Sequence, residues 1–250
     1  MEVAVKTYYE NRNTASEDPE QNNQHEGVWK EYYNNGKLKL EFPYKNGKLT
    51  GIAKEYYPNG KVEVEKPYIN DKLDGVMKYY YEDGTVKTEV QYKNGNMEGI
   101  SKEYYPNGKL RIEVHYKNGT RDGINKAYYP NGILKNDTLY KAGIKDGTSR
   151  EYFDNGQLGR DVPYKDGIME GILLEYYKNG VLKSESYYKG DLPEGLMKIY
   201  RENGKIWAEF IYKTGEAVSG IYFSKKGVGI EFTSEKLTKW NRGDRLCCLN

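Results

Sequence analysis

The chain is short of nearly everything that catalysis needs. Its 250 residues include two cysteines and two histidines. Cys247 and Cys248 are adjacent, so they can form neither a disulfide framework nor a spaced zinc site. His25 and His115 stand far apart, and His115 fills a place held by Pro43, Pro67 and Pro163 in related stretches, which marks it as an ordinary strand residue. There is no Ser-His-Asp order, no His-Cys cluster and no phosphate loop leading into a helix. No catalytic residue, metal site or cofactor is expected, and an enzyme is the least supported class.

Charge of one sign is also missing. The 39 basic and 37 acidic residues leave a net +2, too little for a broad field that would hold nucleic acid or an anionic membrane. The opening MEVAVKTYYE has no apolar stretch of signal-peptide length, and no later run could span a bilayer as a helix. The expectation is a cytoplasmic protein. The last four residues, Cys247 to Asn250, formally fit a prenylation box, but Asn is a poor final residue and no basic run precedes it, so lipidation is not expected. Phe (5) and Trp (3) are scarce as well. A thick core is excluded in favour of a thin structure with most residues near water.

What the chain does have is tyrosine, 27 residues, and glycine, 28. Tyrosine suits a strand whose ring is covered and whose hydroxyl stays wet. Glycines recur at a fixed 24-residue step: Gly27, Gly51, Gly75, Gly99, Gly123, Gly147, Gly171 and Gly195. A second glycine follows each by nine residues and a tyrosine by seventeen, from Gly36 and Tyr44 to Gly204 and Tyr212. Eight units without insertion or deletion cover residues 27–218. A period of this length means a repeat array.

Each unit carries two Tyr- and aliphatic-rich stretches separated by Asn-Gly or Asp-Gly, the strongest short hairpin signal. Pro-Asn-Gly at 58–60, 106–108 and 130–132 suits a bulged three-residue loop, and Lys-Asn-Gly at 45–47, 93–95 and 117–119 makes a second turn. The expectation is all-β: an elongated antiparallel meander of tandem 24-residue hairpins, about sixteen strands and roughly 75 Å long. A three-residue loop puts Ile100, Tyr104, Leu110, Ile112, Val114 and Tyr116 on one dry face, with Lys102 as its odd member. Glu103, Tyr105, Arg111 and Glu113 take the other face, with Glu103 opposite Arg111, Glu31 opposite Lys39 and Glu175 opposite Lys183. A two-residue loop would instead pair Lys102 with Glu113. An acidic row, Glu41, Glu65, Glu89, Glu113, Asp137, Asp161, Glu185 and Glu209, reads as a ladder balanced by lysines rather than a cation site.

The motif G-x-x-x-E-Y-Y-x-N-G-x-L at Gly27–Leu38, Gly51–Val62, Gly99–Leu110 and Gly171–Leu182 resembles the MORN repeat, in the variant of bacterial YwqK-type antitoxin-like proteins. The resemblance implies a β-hairpin rod and, for some members, neutralisation of a partner toxin; it brings no catalytic residues. The chain departs from the motif at Asn70-Asp71 and Lys189-Gly190-Asp191 in the second turn, and at Tyr152-Phe153 and Tyr200-Arg201 in the tyrosine pair. Trp207 replaces the usual lysine in the last unit. Residues 1–26 read as a capping strand followed by a flexible polar segment from Glu10 to Glu26, and residues 219–250 as a β-like cap and tail.

The function expected is a protein-binding repeat scaffold, an inhibitor, immunity protein or antitoxin acting on a toxin or nuclease. The expected contact row is Tyr33, Tyr57, Tyr81, Tyr105, Tyr129, Phe153 and Tyr177, with Trp207. The competing explanation is that these rings stack along the sheet and shield it. Two other functions stay open: a structural or adhesive cell-surface scaffold, and lipid or single-stranded nucleic-acid binding through tyrosine and lysine rows. A homodimer through the apolar face is a further expectation.

Overall fold

The computed structural model describes residues 3–21 and 24–243; the terminal Cys247-Cys248-Leu249-Asn250 box lies outside them. The described residues hold 26 strands and one helix, Ser234–Asn241. The strands follow a meander order in which paired neighbours run antiparallel. Two compact units are separated between Gly123 and Ile124.

The copy that begins at Gly99 shows how one repeat is built. Strand Gly99–Tyr104 pairs with Leu110–Lys117, which turns back into the two-residue strand Thr120–Arg121. The first turn is the expected three-residue loop: Tyr105 N–H donates to Lys109 O at 2.8 Å, and Gly108 N–H to Tyr105 O at 2.9 Å. The Asn107 side chain accepts from Lys109 N–H at 3.1 Å, the Asx contact that suits Asn to this place.

Beyond the turn the register departs from expectation. Tyr104 pairs with Leu110, but Glu103 pairs with Ile112, so Arg111 is the extra residue of a β-bulge. Lys102 therefore faces Glu113, the pairing expected only for a shorter loop. The expected dry face is split in two. Ile112, Val114 and Tyr116 lie opposite Glu103, Ser101 and Gly99 on one side, whereas Ile100, Tyr104 and Leu110 lie with Lys102 on the other. The physical reason is that an unbroken register would strand Lys102 among Ile112 and Val114; one extra residue moves its ammonium to a carboxylate row. Arg111 still reaches Glu103 at 2.7 Å, and Lys39 reaches Glu31 at 2.6 Å, because a bulged side chain stays beside the residue it bypasses. Glu175 is opposite Ser184 rather than Lys183 and accepts from its hydroxyl at 2.8 Å.

Strands outnumber the sixteen expected because most units break just before the next opening glycine. In the first of these breaks Thr50 donates its N–H to Pro43 O at 2.9 Å, separating Lys48–Leu49 from Gly51–Tyr56. Where the chain does not break, one nine-residue strand results, as in Ile144–Tyr152 and Leu192–Tyr200.

The polar N-terminal segment is not a loose linker. Val3–Tyr8 pairs with Thr14–Gln21 in the repeat's own register, bulge included, and Thr14–Gln21 pairs on through Ser16 to Glu31 and Glu17 to Lys30. The strands Val3–Tyr8 and Thr14–Gln21 thus form a degenerate additional hairpin. Its turn places Arg12 at φ 66° where the other units use glycine. Backbone pairing needs no apolar side chains, so polar composition did not signal disorder here. At the other end the helix is capped by Thr233, whose side chain accepts from Lys236 N–H. It covers the molecule's main core cluster, Ala208, Phe210, Tyr212, Ala217, Phe232 and Trp240.

Candidate binding surfaces

The expected contact row lies along the margin formed by the first turns. Within the first unit the Tyr33, Tyr57 and Tyr81 hydroxyls donate to the Tyr56, Tyr80 and Tyr104 carbonyls at 2.6, 2.7 and 2.7 Å. Within the second, Tyr129 and Tyr177 donate to Tyr152 and Tyr200 at 2.8 and 2.7 Å. Each tyrosine thus clamps the repeat that follows it. All rings of the row, Tyr105 and Phe153 included, are half-buried. The bulged cation covers a ring in several repeats: Lys87 over Tyr81, Arg111 over Tyr105 and Lys135 over Tyr129, each 5.8 Å from the centroid. Trp207 lies apart from the row, 6.3 Å from Trp240 at the edge of the C-terminal core. Tyr57→Phe is expected to destabilise the protein by about 1 kcal/mol, and Phe153→Tyr to stabilise it by roughly half to one kcal/mol, as a hydroxyl clamp is lost or gained. Urea denaturation midpoints check both.

Phe153 is where the row is interrupted. The bulged residue there is Gly159, and a Cβ on it would sit 3.1 Å from the Phe153 ring, so glycine is what lets the ring lie down on the strand. The next residue, Arg160, takes a place held elsewhere by Leu40, Val64 or Ile112. It pairs across the sheet with Glu151 on one side and Glu175 on the other. Its Nε lies 3.7 Å from the Glu175 carboxylate and, though buried, has no hydrogen-bond acceptor. Tyr129, Lys135, Phe153, Arg160, Glu175 and Lys183 line an open notch of about 480 Å3 here.

The opposite side of the sheet is ionic. Lys54 meets Glu65 at 3.7 Å, Lys78 meets Glu89 at 3.4 Å and Lys198 meets Glu185 at 3.3 Å. The tyrosine that ends the first strand donates to the same carboxylate row in several repeats: Tyr80 to Glu65 at 2.8 Å, Tyr104 to Glu89 at 3.0 Å and Tyr200 to Glu185 at 2.7 Å. Burial, followed by the bond to the carboxylate, pushes the Tyr80 and Tyr200 phenols up to about 12 and raises Tyr56 and Tyr104 too. Glu65, Glu89 and Glu185 are therefore committed to lysines and phenols, and Asp137 and Asp161 to Arg150, so these members of the row form a ladder.

The hairpins, turns and spacing match a family model described as a MORN repeat variant over residues 26–46, 49–70, 73–94, 97–118, 121–142, 145–166, 169–189 and 193–214. The chain belongs to that family. No curated protein matches it. Two solved structures align with 94% of the chain, the crystal structures of TcdB2-TccC3-Cdc42 and TcdB2-TccC3, at 12% and 11% identity with TM-scores of 0.21 and 0.20. The chain spans only 14% and 15% of those chains. Likeness at that level places no constraint on its fold or partner.

One feature of these MORN repeats escaped the sequence reading. The residue after the opening glycine is aliphatic in seven of the eight repeats, Thr148 being the exception, and the aliphatic points outward. In the first unit Ile52 is 53% exposed, and Val28, Val76 and Ile100 are exposed with it. In the second, Ile172 is 59% exposed and Ile124 and Leu196 accompany it. Cross-strand partners extend the stripe: Pro43 opposite Val28, Pro67 opposite Ile52, Tyr187 opposite Ile172 and Ile211 opposite Leu196. The bulge that splits the aliphatic set is what turns this half of it toward water. Among the described residues no helix is long and apolar enough to cross a membrane.

Proposed function

We propose that the chain is a non-catalytic protein-binding scaffold that occludes a partner toxin or nuclease, in the manner of an inhibitor or antitoxin, in the cytoplasm. The observation that carries this is the recurring stripe of exposed aliphatics with its proline and aromatic neighbours. Contiguous exposed apolar surface marks interaction sites on soluble proteins. In contrast, the Tyr33–Tyr177 row spends its hydroxyls on the next repeat, which leaves its rings and covering cations as supporting contacts at the notch around Phe153 and Arg160. Likeness to antitoxin repeats supports the choice of partner class, and the absence of a large net charge disfavours nucleic acid.

The test uses the tagged full chain to retain binders from its native cytosol, then measures the activity of any protein held in fixed stoichiometry. One toxin or nuclease, inactive while bound, is the expected result. Ile52→Asp and Ile172→Asp should each weaken its binding by roughly tenfold or more. A retained partner that keeps its activity, or recovery of envelope proteins alone, sinks neutralisation and leaves the structural or adhesive scaffold. Affinity for single-stranded nucleic acid or vesicles that collapses with salt would move the function to that class. A concentration-dependent dimer abolished by the same substitutions would show that the stripe serves self-association.

A further inference from the structure

We propose that Asp18, Glu20 and His25 form a binding site for a divalent transition-metal ion on the N-terminal hairpin. Asp18 and Glu20 alternate along the strand Thr14–Gln21 and so share a face, and antiparallel pairing with the strand Gln24–His25 sets His25 directly opposite Glu20. One ligand atom from each residue lies within 4.8 Å of the others. His25 Nδ1 and an Asp18 carboxylate oxygen are 2.8 Å apart. Two donors at that separation subtend about 85° at an ion bound at roughly 2.1 Å from each, near the cis angle of a five- or six-coordinate centre.

The repeat shows why this grouping is not an ordinary feature of the fold. The three equivalent places are Phe42, Tyr44 and Leu49 one repeat on, Val90, Tyr92 and Met97 further along, and Val162, Tyr164 and Met169 in the second unit. In those copies the set is an apolar contact, as where Tyr44 pairs with Leu49 and Tyr92 with Met97, and no later repeat puts a carboxylate or an imidazole at any of the three places. In the first hairpin all three members are replaced together by residues that ligate metals. The His25 ring also rests on Tyr44, with centroids 5.0 Å apart, which holds the imidazole in place. Asp18 keeps 24% and His25 45% of its side chain exposed, so an ion can enter and hold water in its remaining positions.

An imidazole with two carboxylates favours Zn2+, Co2+, Ni2+ or Mn2+ over Ca2+ and Mg2+, which take oxygen donors. The ion would tie the end strands together where copies such as Phe42, Tyr44 and Leu49 use an apolar cluster.

Zn2+ is the probe. Titration is followed by calorimetry on the full chain carrying Cys247→Ser and Cys248→Ser, because those thiols are competing soft ligands. One equivalent is expected to bind, with His25→Gln weakening it by about 100-fold and Asp18→Asn or Glu20→Gln by about tenfold or more. His115→Gln should change nothing. Zn2+ should shift the His25 ring resonances and slow amide exchange in Thr14–Gln21 and Gln24–His25, with the other repeats' spectra unchanged in every variant. No binding, or binding indifferent to His25→Gln and Glu20→Gln, would overturn the proposal; so would an ion that binds but leaves exchange in those strands and the His25 resonances unaltered.

Discussion

Phe210→Ala is expected to lower the stability of the C-terminal part of the protein by about 3–5 kcal/mol, the range for truncating a fully enclosed aromatic ring. Phe210 is 0% exposed and stacks on Trp240 at 4.3 Å between centroids and 19° between planes, with Phe232 at 4.9 Å. A Cβ on Gly220 would lie 2.6 Å from its ring, so the facing strand is already at closest approach and cannot close in to fill the void. The helix depends on the same ring. Trp240 bonds Tyr212 Oη at 2.8 Å, while the Asn241 side chain accepts from Ala217 N–H at 2.9 Å and donates to Ala217 O at 3.1 Å. Trp fluorescence and hydrogen exchange should report the helix and last strands opening well before Gly27–Tyr32 and its neighbours. A single unshifted transition seen by both probes would mean that the cap is not a separate cooperative element.

Gly51→Val is expected to cost on the order of 3 kcal/mol, from two separable causes. Gly51 has φ 121°, where a β-branched residue is strained, and a new Cβ would sit 3.0 Å from Pro43 Cγ and 3.3 Å from Pro43 Cβ. Gly95 supplies the comparison: its φ is 87°, but nothing lies within 4 Å of an added Cβ. Gly95→Val should therefore show the backbone cost without the collision. Pro43→Ala, which removes the closer carbon, should recover part of the Gly51→Val loss and none of the Gly95→Val loss in a double-mutant cycle. Equal effects at the two glycines would rule out the close approach as the reason for the invariant spacing. Thermal or urea unfolding of the three single and two double variants decides it.

The repeat and both turns were legible because glycine, Asn-Gly and tyrosine recur at fixed offsets, and backbone conformation follows those residues closely. The bulge at Arg111 was not. No residue type marks it, and it is chosen by a conflict between alternation and the charge on Lys102 that only appears once strands are paired. Everything downstream of the bulge was misplaced for the same reason, including which aliphatics face water. The C-terminal helix was hidden because residues 234–241 are short and mixed in character, and a capping Thr233 beside Glu235 is a weak signal alone. The Asp18, Glu20 and His25 grouping was invisible to a search for spaced ligands, since it is assembled across two paired strands rather than along one. The tyrosine row was found, yet the bonds from Tyr33 to Tyr56 O and from Tyr57 to Tyr80 O concern residues 23 apart. Local pattern cannot reveal contacts of that reach.

Those long-range clamps make chain length an inheritable dial with fixed clicks. A donor in one hairpin and an acceptor 23 residues later stay matched when 24 residues are duplicated or excised together, since every surviving pair keeps its separation. Removing a shorter piece from inside a hairpin shifts the spacing between donor and acceptor and the bulge phase at once. Recombination at equivalent glycines could therefore lengthen or shorten the molecule's working surface without redesigning it, while the dissimilar end hairpins stay where they are. The number of exposed aliphatics would then evolve by copy number and their chemistry by substitution, two searches that need not interfere with each other.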